Sequence, residues 1–187
     1  MEYISTDVLI VGSGAAGLRA AIEARNLGVD VLLVTKTRLL SSASVMAEGG
    51  INAALGNVDR DDSWEKHFED TVRAGAFLND QDLVEALVKE VIDRIYELEE
   101  WGAAFSRLEN GLIAQRPFGK QSRKRTCFAT DRTGHEIVST LLDVALDLGI
   151  EMLEYHYVSR ILVSDGKIVG AVVWAVSYTH LRAHETS

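Results

Sequence analysis

The chain has 187 residues, 47% of them hydrophobic and 25% charged, which is enough for about one domain with a sizeable core. Its formal net charge of −9 argues against nucleic acid as a partner, since affinity for a polyphosphate rests on clustered Lys and Arg. No apolar run approaches the roughly 20 residues of a membrane span, and the first strand follows Met1 too closely for a secretory leader, so a cytoplasmic protein is expected.

The apolar run Val8 to Val11 predicts the first strand; it flows into Gly12-Ser13-Gly14-Ala15-Ala16-Gly17 and a helix-prone stretch from Leu18 to Leu27. Strand, glycine pattern and helix together read as a dinucleotide-binding turn. Gly12 supplies the tight turn, Gly14 lets backbone approach a pyrophosphate, and Gly17 lets the helix pack on the strand. The helix N-terminus offers the anion unpaired N–H groups and a positive dipole end. A second strand, Val31 to Val34, ends in Thr35-Lys36 in place of the acid that usually holds a ribose hydroxyl, and Asp30 stands too early to serve. Lys36 suits NADP, while FAD suits a family that dispenses with the acid. The motif alone leaves both open.

A Ser/Gly-rich segment from Thr37 to Gly56 has little periodicity and is long enough that function explains it better than mere connection. A helix from about Asp61 to Ala76 follows, with Asp61-Asp62-Ser63 as cap material and Trp64, Phe68 and Val72 on one face. The next, from about Gln81 to Trp101, repeats Val84, Leu87, Val88, Val91, Ile95 and Leu98 and stops at Gly102. Both stripes read as core, and His67 and His135 as structural rather than catalytic. Residues 103–132 predict short strands and loops, with Asn110-Gly111 as a turn between Phe105-Ser106 and Leu112-Ile113. Lys120, Arg123, Lys124 and Arg125 form a basic run, read as a solvated loop or, beside a cofactor, as an attractor of anionic substrate. The single cysteine, Cys127, excludes an internal disulfide and reads as a small, partly buried side chain in a reducing compartment.

Thr133, with Glu136 three residues on, predicts a capping box for a third helix whose face is Ile137, Leu141, Leu142, Ala145 and Leu148 and whose end is Gly149. Ile150 to Leu153 reads as another strand of a parallel sheet, entered from a helix. A hairpin follows, Val158 to Val163 and Ile168 to Trp174, about a turn at Asp165-Gly166. The class is α/β. Residues Ala175 to Ser187 lack period and turn chemistry and read as a non-native tail, which leaves 1–174 as the domain. His180 and His184 in that tail have no evident third ligand, so no metal site is expected.

At Ser41-Ser42-Ala43-Ser44-Val45-Met46-Ala47-Glu48-Gly49-Gly50-Ile51-Asn52 the chain resembles the flavin-contacting loop of the succinate dehydrogenase and fumarate reductase flavoprotein subunits, a family that includes L-aspartate oxidase. The likeness continues through Asp62-Ser63-Trp64 with His67 and Asp70-Thr71, then Glu100-Trp101-Gly102, Arg116-Pro117-Phe118-Gly119, Arg125-Thr126 and Ala129-Thr130-Asp131-Arg132-Thr133-Gly134. It covers the chain from about Asp7 to Trp174. The resemblance implies a Rossmann-like FAD-binding domain with a parallel sheet and an added β-hairpin, truncated before the family's capping domain.

FAD is then the cofactor. By resemblance Gly12, Ser13, Gly14, Ala15 and Ala16, with Gly17 behind them, hold the pyrophosphate; Thr35 and Lys36 flank the adenosine ribose; Tyr157 and Val158 meet the adenine through backbone. A flat isoalloxazine needs small residues and exposed N–H groups against it, which Ala47, Gly49 and Gly50 supply beside Glu48, while Ser42 and Ser44 can donate hydrogen bonds. Val45, Met46 and Ile51 are expected to be buried among these glycines. Many relatives attach FAD through a histidine in this loop; Ala43 stands at the matching place, which implies non-covalent FAD and favours fumarate reduction or aspartate oxidation over succinate oxidation.

Aspartate oxidases tend to carry an acid where Phe118 stands, a partner for an ammonium. An apolar ring there excludes water and points to an unsubstituted C4 dicarboxylate. The reaction implied is hydride exchange between flavin N5 and a carbon of the succinate/fumarate pair. The arginines that clamp both carboxylates belong, in the family, to the capping domain and later loops. No catalytic residue is therefore assigned beyond Phe118 as a substrate-site wall, and the fragment is expected to bind FAD weakly without turnover. An iron–sulfur subunit and, with it, a membrane-anchored complex are the implied partners, on the inner face of the cell membrane. L-aspartate oxidase and a bare dinucleotide-binding module stay as alternatives.

Overall fold

Strands β1 (Val8–Val11), β2 (Val31–Val34) and β6 (Glu151–Leu153) lie in the order β1-β2-β6, all parallel, in the computed structural model, which describes residues 3–176. The register sets Val8 against Val31 and Leu32 against Glu151. Parallel neighbours need a crossover, and α1 (Ala15–Asn26) is the one between β1 and β2. With a strand on each side, β2 is buried along its whole length, which is why all four of its residues are apolar. Leu18, Ala21 and Ile22 of α1 are fully buried at the spacing of one helix face.

The chain divides into two compact units, and this sheet belongs to the one formed by residues up to Ser44 and from Leu141 onward. The same unit holds β7 (His156–Ser164) and β8 (Lys167–Ala175), an antiparallel hairpin turning at Asp165-Gly166, both residues in the left-handed region. Its strands run a residue or more past the expected bounds at each end. The His156 N–H donates to the Thr35 carbonyl and so ties the hairpin to the end of β2. β8 reaches Ala175, the first residue assigned to the tail; residues 177–187, with His180 and His184, lie outside the described residues.

The other unit, Val45–Thr140, is built on α2 (Trp64–Ala74) and α3 (Gln81–Glu100). Ser63 caps α2 by accepting the Lys66 N–H, and Asp80 caps α3 by accepting that of Leu83. Val72, Val84 and Val88 form a buried cluster with Trp64 and Phe68 packed against it, as the stripes predict. Leu87 departs from its stripe and is 58% exposed. At 3.6 residues per turn it stands about 60° to the side of Val84.

Three two-residue strands, β3 (Ile51–Asn52), β4 (Gln115–Arg116) and β5 (Thr126–Cys127), pair antiparallel in the order β3-β5-β4. They are too short for alternation to announce them. The Asn110-Gly111 turn forms, with Arg107 bridged to Ile113 and Gly111 in the left-handed region. α4 (Thr133–Asp147) begins in this unit, but the capping box does not form. Thr133 is the helix's opening residue and its hydroxyl accepts the Ala129 N–H, while the Glu136 carboxylate accepts that of Ala104. Partners brought near by the fold displace the local ones. On the expected face of α4, Val138 is fully buried and Ile137 only half-buried.

The basic run is a solvated loop only in part, since Lys120 and Lys124 are exposed and Arg125 is not. Arg125 is fully buried and pairs with Asp62 and Asp70, each at 2.8 Å, while Arg123 pairs with Asp61 at 2.6 Å. Carboxylates from α2 and the turn before it neutralise these cations, because a guanidinium is held in the interior only when paired.

Candidate functional site

α1 opens with a residue that has no side chain to cap it. Gly14 is the N-cap, so the N–H groups of Ala15, Ala16 and Gly17 have no partner within the helix; Leu18 is the residue that bonds back, to the Gly14 carbonyl. Gly12, at φ 106°, donates its N–H to the Val34 carbonyl at 2.8 Å, which anchors the turn to β2. A Cβ on Gly17 would lie 2.1 Å from the Gly12 carbonyl oxygen, and one on Gly14 would lie 3.2 Å from Ser44 Oγ. Gly12 thus makes the tight turn and Gly17 the close helix–strand approach that the sequence pattern assigns them, and Gly14 leaves room below Ser44.

Ser44 and Ser42 stand over this turn. Ser44 Oγ accepts a long hydrogen bond, 3.4 Å, from the Ala15 N–H. Ser42 Oγ is buried close to Gly14 and has no hydrogen-bond partner. Leaving a buried hydroxyl unpaired costs about 1–3 kcal/mol, a cost that an acceptor such as a phosphate oxygen would relieve. The Ser13 hydroxyl is already engaged, donating to the Leu39 carbonyl at 3.0 Å and lying 3.3 Å from Thr35 Oγ1. Thr35 is buried at the end of β2 and Lys36 beside it is exposed. Tyr157 is exposed and Val158 half-buried at the start of β7, directly after the His156 to Thr35 tie. Ala43 is exposed at the start of a short 3-10 turn, Ala43–Met46.

The remainder of the loop belongs to the second unit. Here three successive carbonyls are held: that of Ala47 accepts the Gly134 N–H at 2.7 Å, and those of Glu48 and Gly49 accept Arg116 Nη2 at 3.0 and 2.9 Å. Gly50 has φ 113°, and a Cβ there would lie 2.4 Å from the Cys127 carbonyl oxygen, so glycine is required. The Phe118 ring, 55% exposed, lies against Gly49, whose Cβ would meet it at 3.0 Å. The expected burial of the loop's apolar residues is not found. Met46 is 79% exposed and Val45 half-buried, because a single 3-10 turn has no face to bury, and Ile51 is half-buried in β3 at the edge of its small sheet.

His67 and Cys127 of this unit are buried as well. His67 of α2 has an unpaired Nδ1, and burial, with the nearby Arg125 charge, lowers its pKa to about 4 against the opposing pull of Asp62 and Asp70. Cys127 is fully buried, more so than expected, and burial pushes its thiol up to about 12. Among the described residues no group of His, Cys, Asp and Glu is arranged to hold a metal ion, and no helix is long and apolar enough to cross a membrane. Arg116 has a role that residue patterns do not reveal. Nothing in its neighbourhood in the sequence signals that its guanidinium reaches the loop at Glu48.

A glycine turn with uncapped amides, a close approach that only hydrogen permits and an unpartnered buried hydroxyl together suit a pyrophosphate. Comparison with known proteins agrees. A family model described as FAD binding domain matches residues 7–186. The chain is 47% identical over 172 residues to one subunit of the fumarate reductase (CoM/CoB) of Methanothermobacter marburgensis, covering 91% of this chain and 31% of that protein. It is 42% identical over 176 residues to a succinate dehydrogenase flavoprotein subunit of Rickettsia felis, covering 90% and 29%. Among solved structures, Mycobacterium smegmatis Sdh1 in complex with UQ1 matches with a TM-score of 0.87 at 41% identity, over 93% of this chain and 31% of that one. The chain therefore spans only 31% and 29% of the length of the first two relatives. With a family match over nearly its whole length, the chain belongs to the FAD binding domain family.

Proposed function

We propose that the chain is the FAD-binding part of a flavoprotein that exchanges a hydride with an unsubstituted C4 dicarboxylate, a reading supported by relatives named as a fumarate reductase subunit and a succinate dehydrogenase flavoprotein subunit. The observation that carries the cofactor reading is the buried, unpartnered Ser42 hydroxyl beside Gly14. When bound, FAD supplies the hydride chemistry. The chain's own residues bind and orient it. Backbone amides of Ser13, Gly14, Ala15 and Ala16 hold the pyrophosphate with Ser42 and Ser44; Thr35 and Lys36 flank the ribose; Tyr157 and Val158 line the adenine with backbone. Ala47, Glu48, Gly49 and Gly50 lie against the ring, and the Phe118 ring excludes water from the substrate's central carbons.

Attachment is non-covalent, because Ala43 has no nucleophile and no histidine stands between Ser41 and Asn52. Phe118 offers no partner to an ammonium, which favours the dicarboxylate over an amino acid substrate. The carboxylate clamp and proton carrier lie outside these residues, and electrons pass to an iron–sulfur subunit of a complex at the inner face of the membrane.

The test is reconstitution of the purified chain with FAD, followed by acid precipitation. Flavin absorbance is expected in the supernatant and a colourless pellet; a yellow pellet overturns non-covalent attachment. A folded chain that retains no FAD at all sinks the cofactor reading, and fumarate reduction by the 187-residue chain alone sinks the placement of the clamp elsewhere.

A further inference from the structure

We infer that Arg116 is a positioning residue that turns the backbone amides of Gly49 and Gly50 away from itself, as a pair of donors for an acceptor edge of a flat heteroaromatic ring; the identity of that ring rests on the FAD reading above. A trans peptide points its C=O and its N–H in opposite directions, and no peptide of the described chain is cis. Arg116 Nη2 holds the Glu48 and Gly49 carbonyls, so the N–H groups on the same two peptide planes, those of Gly49 and Gly50, face the other way. The Gly134 N–H holds the Ala47 carbonyl and fixes the plane before them in the same manner. Gly49 and Gly50 carry no side chain to screen these donors, and Gly50 needs its φ of 113° to continue the run. Successive N–H groups of this kind make a concavity that favours electron-rich atoms.

Arg116 is itself fixed. Its Nη1 donates to the Thr130 carbonyl at 3.5 Å, and its guanidinium carbon lies 4.4 Å from the centre of the Phe128 ring. Its Nε is buried without a hydrogen-bond partner. Among the described residues its hydrogen bonds go to carbonyl groups and not to a carboxylate, so no bonded anion offsets its positive field behind the two amides. A lysine would keep that charge but lose the planar fork that spans two carbonyls.

Two variants separate geometry from charge, Arg116→Lys and Arg116→Gln, with Val88→Ala in the α3 core as a control for stability loss. In nitrogen-15 spectra of the cofactor-free chain both Arg116 variants are expected to shift the Gly49 and Gly50 amide resonances, and V88A to leave them in place. In the FAD-loaded chain both lose about tenfold or more in FAD affinity. R116Q also lowers the midpoint potential of the bound flavin more than R116K does, because a nearby cation favours the electron-rich form. The inference is overturned if the glycine amides do not move, or if V88A reproduces the affinity loss at an equal fall in Tm. If the wild-type chain retains no FAD, the cofactor reading fails by itself, and the glycine amides of the cofactor-free variants still decide the role of Arg116.

Discussion

A methyl group on Gly17 would stand 2.1 Å from the carbonyl oxygen of Gly12. This approach lets α1 leave β1 at the angle that aims its uncapped amides at the turn. Gly17→Ala is therefore expected to destabilise the chain by about 1–3 kcal/mol, since backbone on both sides leaves nothing soft to yield. Urea unfolding measures it. An unchanged midpoint would show that helix and strand can part without cost.

Ser42 separates stability from binding. Its hydroxyl is buried and unpartnered, so Ser42→Ala is expected to leave stability unchanged or raise it slightly, while weakening FAD binding about tenfold. Thermal melts and flavin titration of the same preparations check the two signs. A variant that melts lower and binds normally would make Ser42 a structural residue.

The Arg125 pair with Asp62 is fully buried at both ends. Without Asp62 the buried guanidinium keeps only Asp70, at 2.8 Å, so Asp62→Ala is expected to cost about 1–3 kcal/mol, less than stranding the cation altogether. Arg125→Met combined with Asp62→Leu should cost much less than the sum of the single changes. A double-mutant cycle in urea tests this, and additive losses would mean that the two side chains do not act as a pair.

His67 links stability to pH. Its pKa is lowered from 6.5 to about 4 by burial foremost and by the Arg125 charge, so the unfolded chain binds its proton at a higher pH than the folded one. The stability from keeping it neutral is complete above about pH 6.5 and is lost as pH falls toward about 4. His67→Gln should flatten the unfolding free energy across that window. If wild type and variant fall in parallel, other groups set the acid limb.

Cys127, buried and with its thiol pushed up to about 12, should resist an aromatic disulfide reagent at pH 8 and react rapidly in urea. Rapid reaction of the native chain would mean that β5 opens readily.

Most of the elements were legible in the sequence because their signals are local. The β1, Gly12 to Gly17, α1 succession, the stripes of α2 and α3, and the Asp165-Gly166 hairpin each follow from periodicity or turn chemistry within a few residues. Where expectation failed, a distant partner had replaced a near one, or an element had no face to offer. Glu136 serves Ala104 and not its own helix cap, Arg125 is withdrawn from a basic run by Asp62 and Asp70, and Met46 is left exposed by a turn with no face to bury.

That a tight glycine turn would join strand to helix and open the helix at a residue with no capping side chain follows from the residues alone, because the spacing of Gly12, Gly14 and Gly17 is local. What surrounds that turn, and what orients the loop glycines, came from the assembled fold. Ser42 reaches Gly14, and Arg116 reaches Glu48 and Gly49, across stretches of chain whose closure entropy is offset by packing elsewhere, and no local pattern records it.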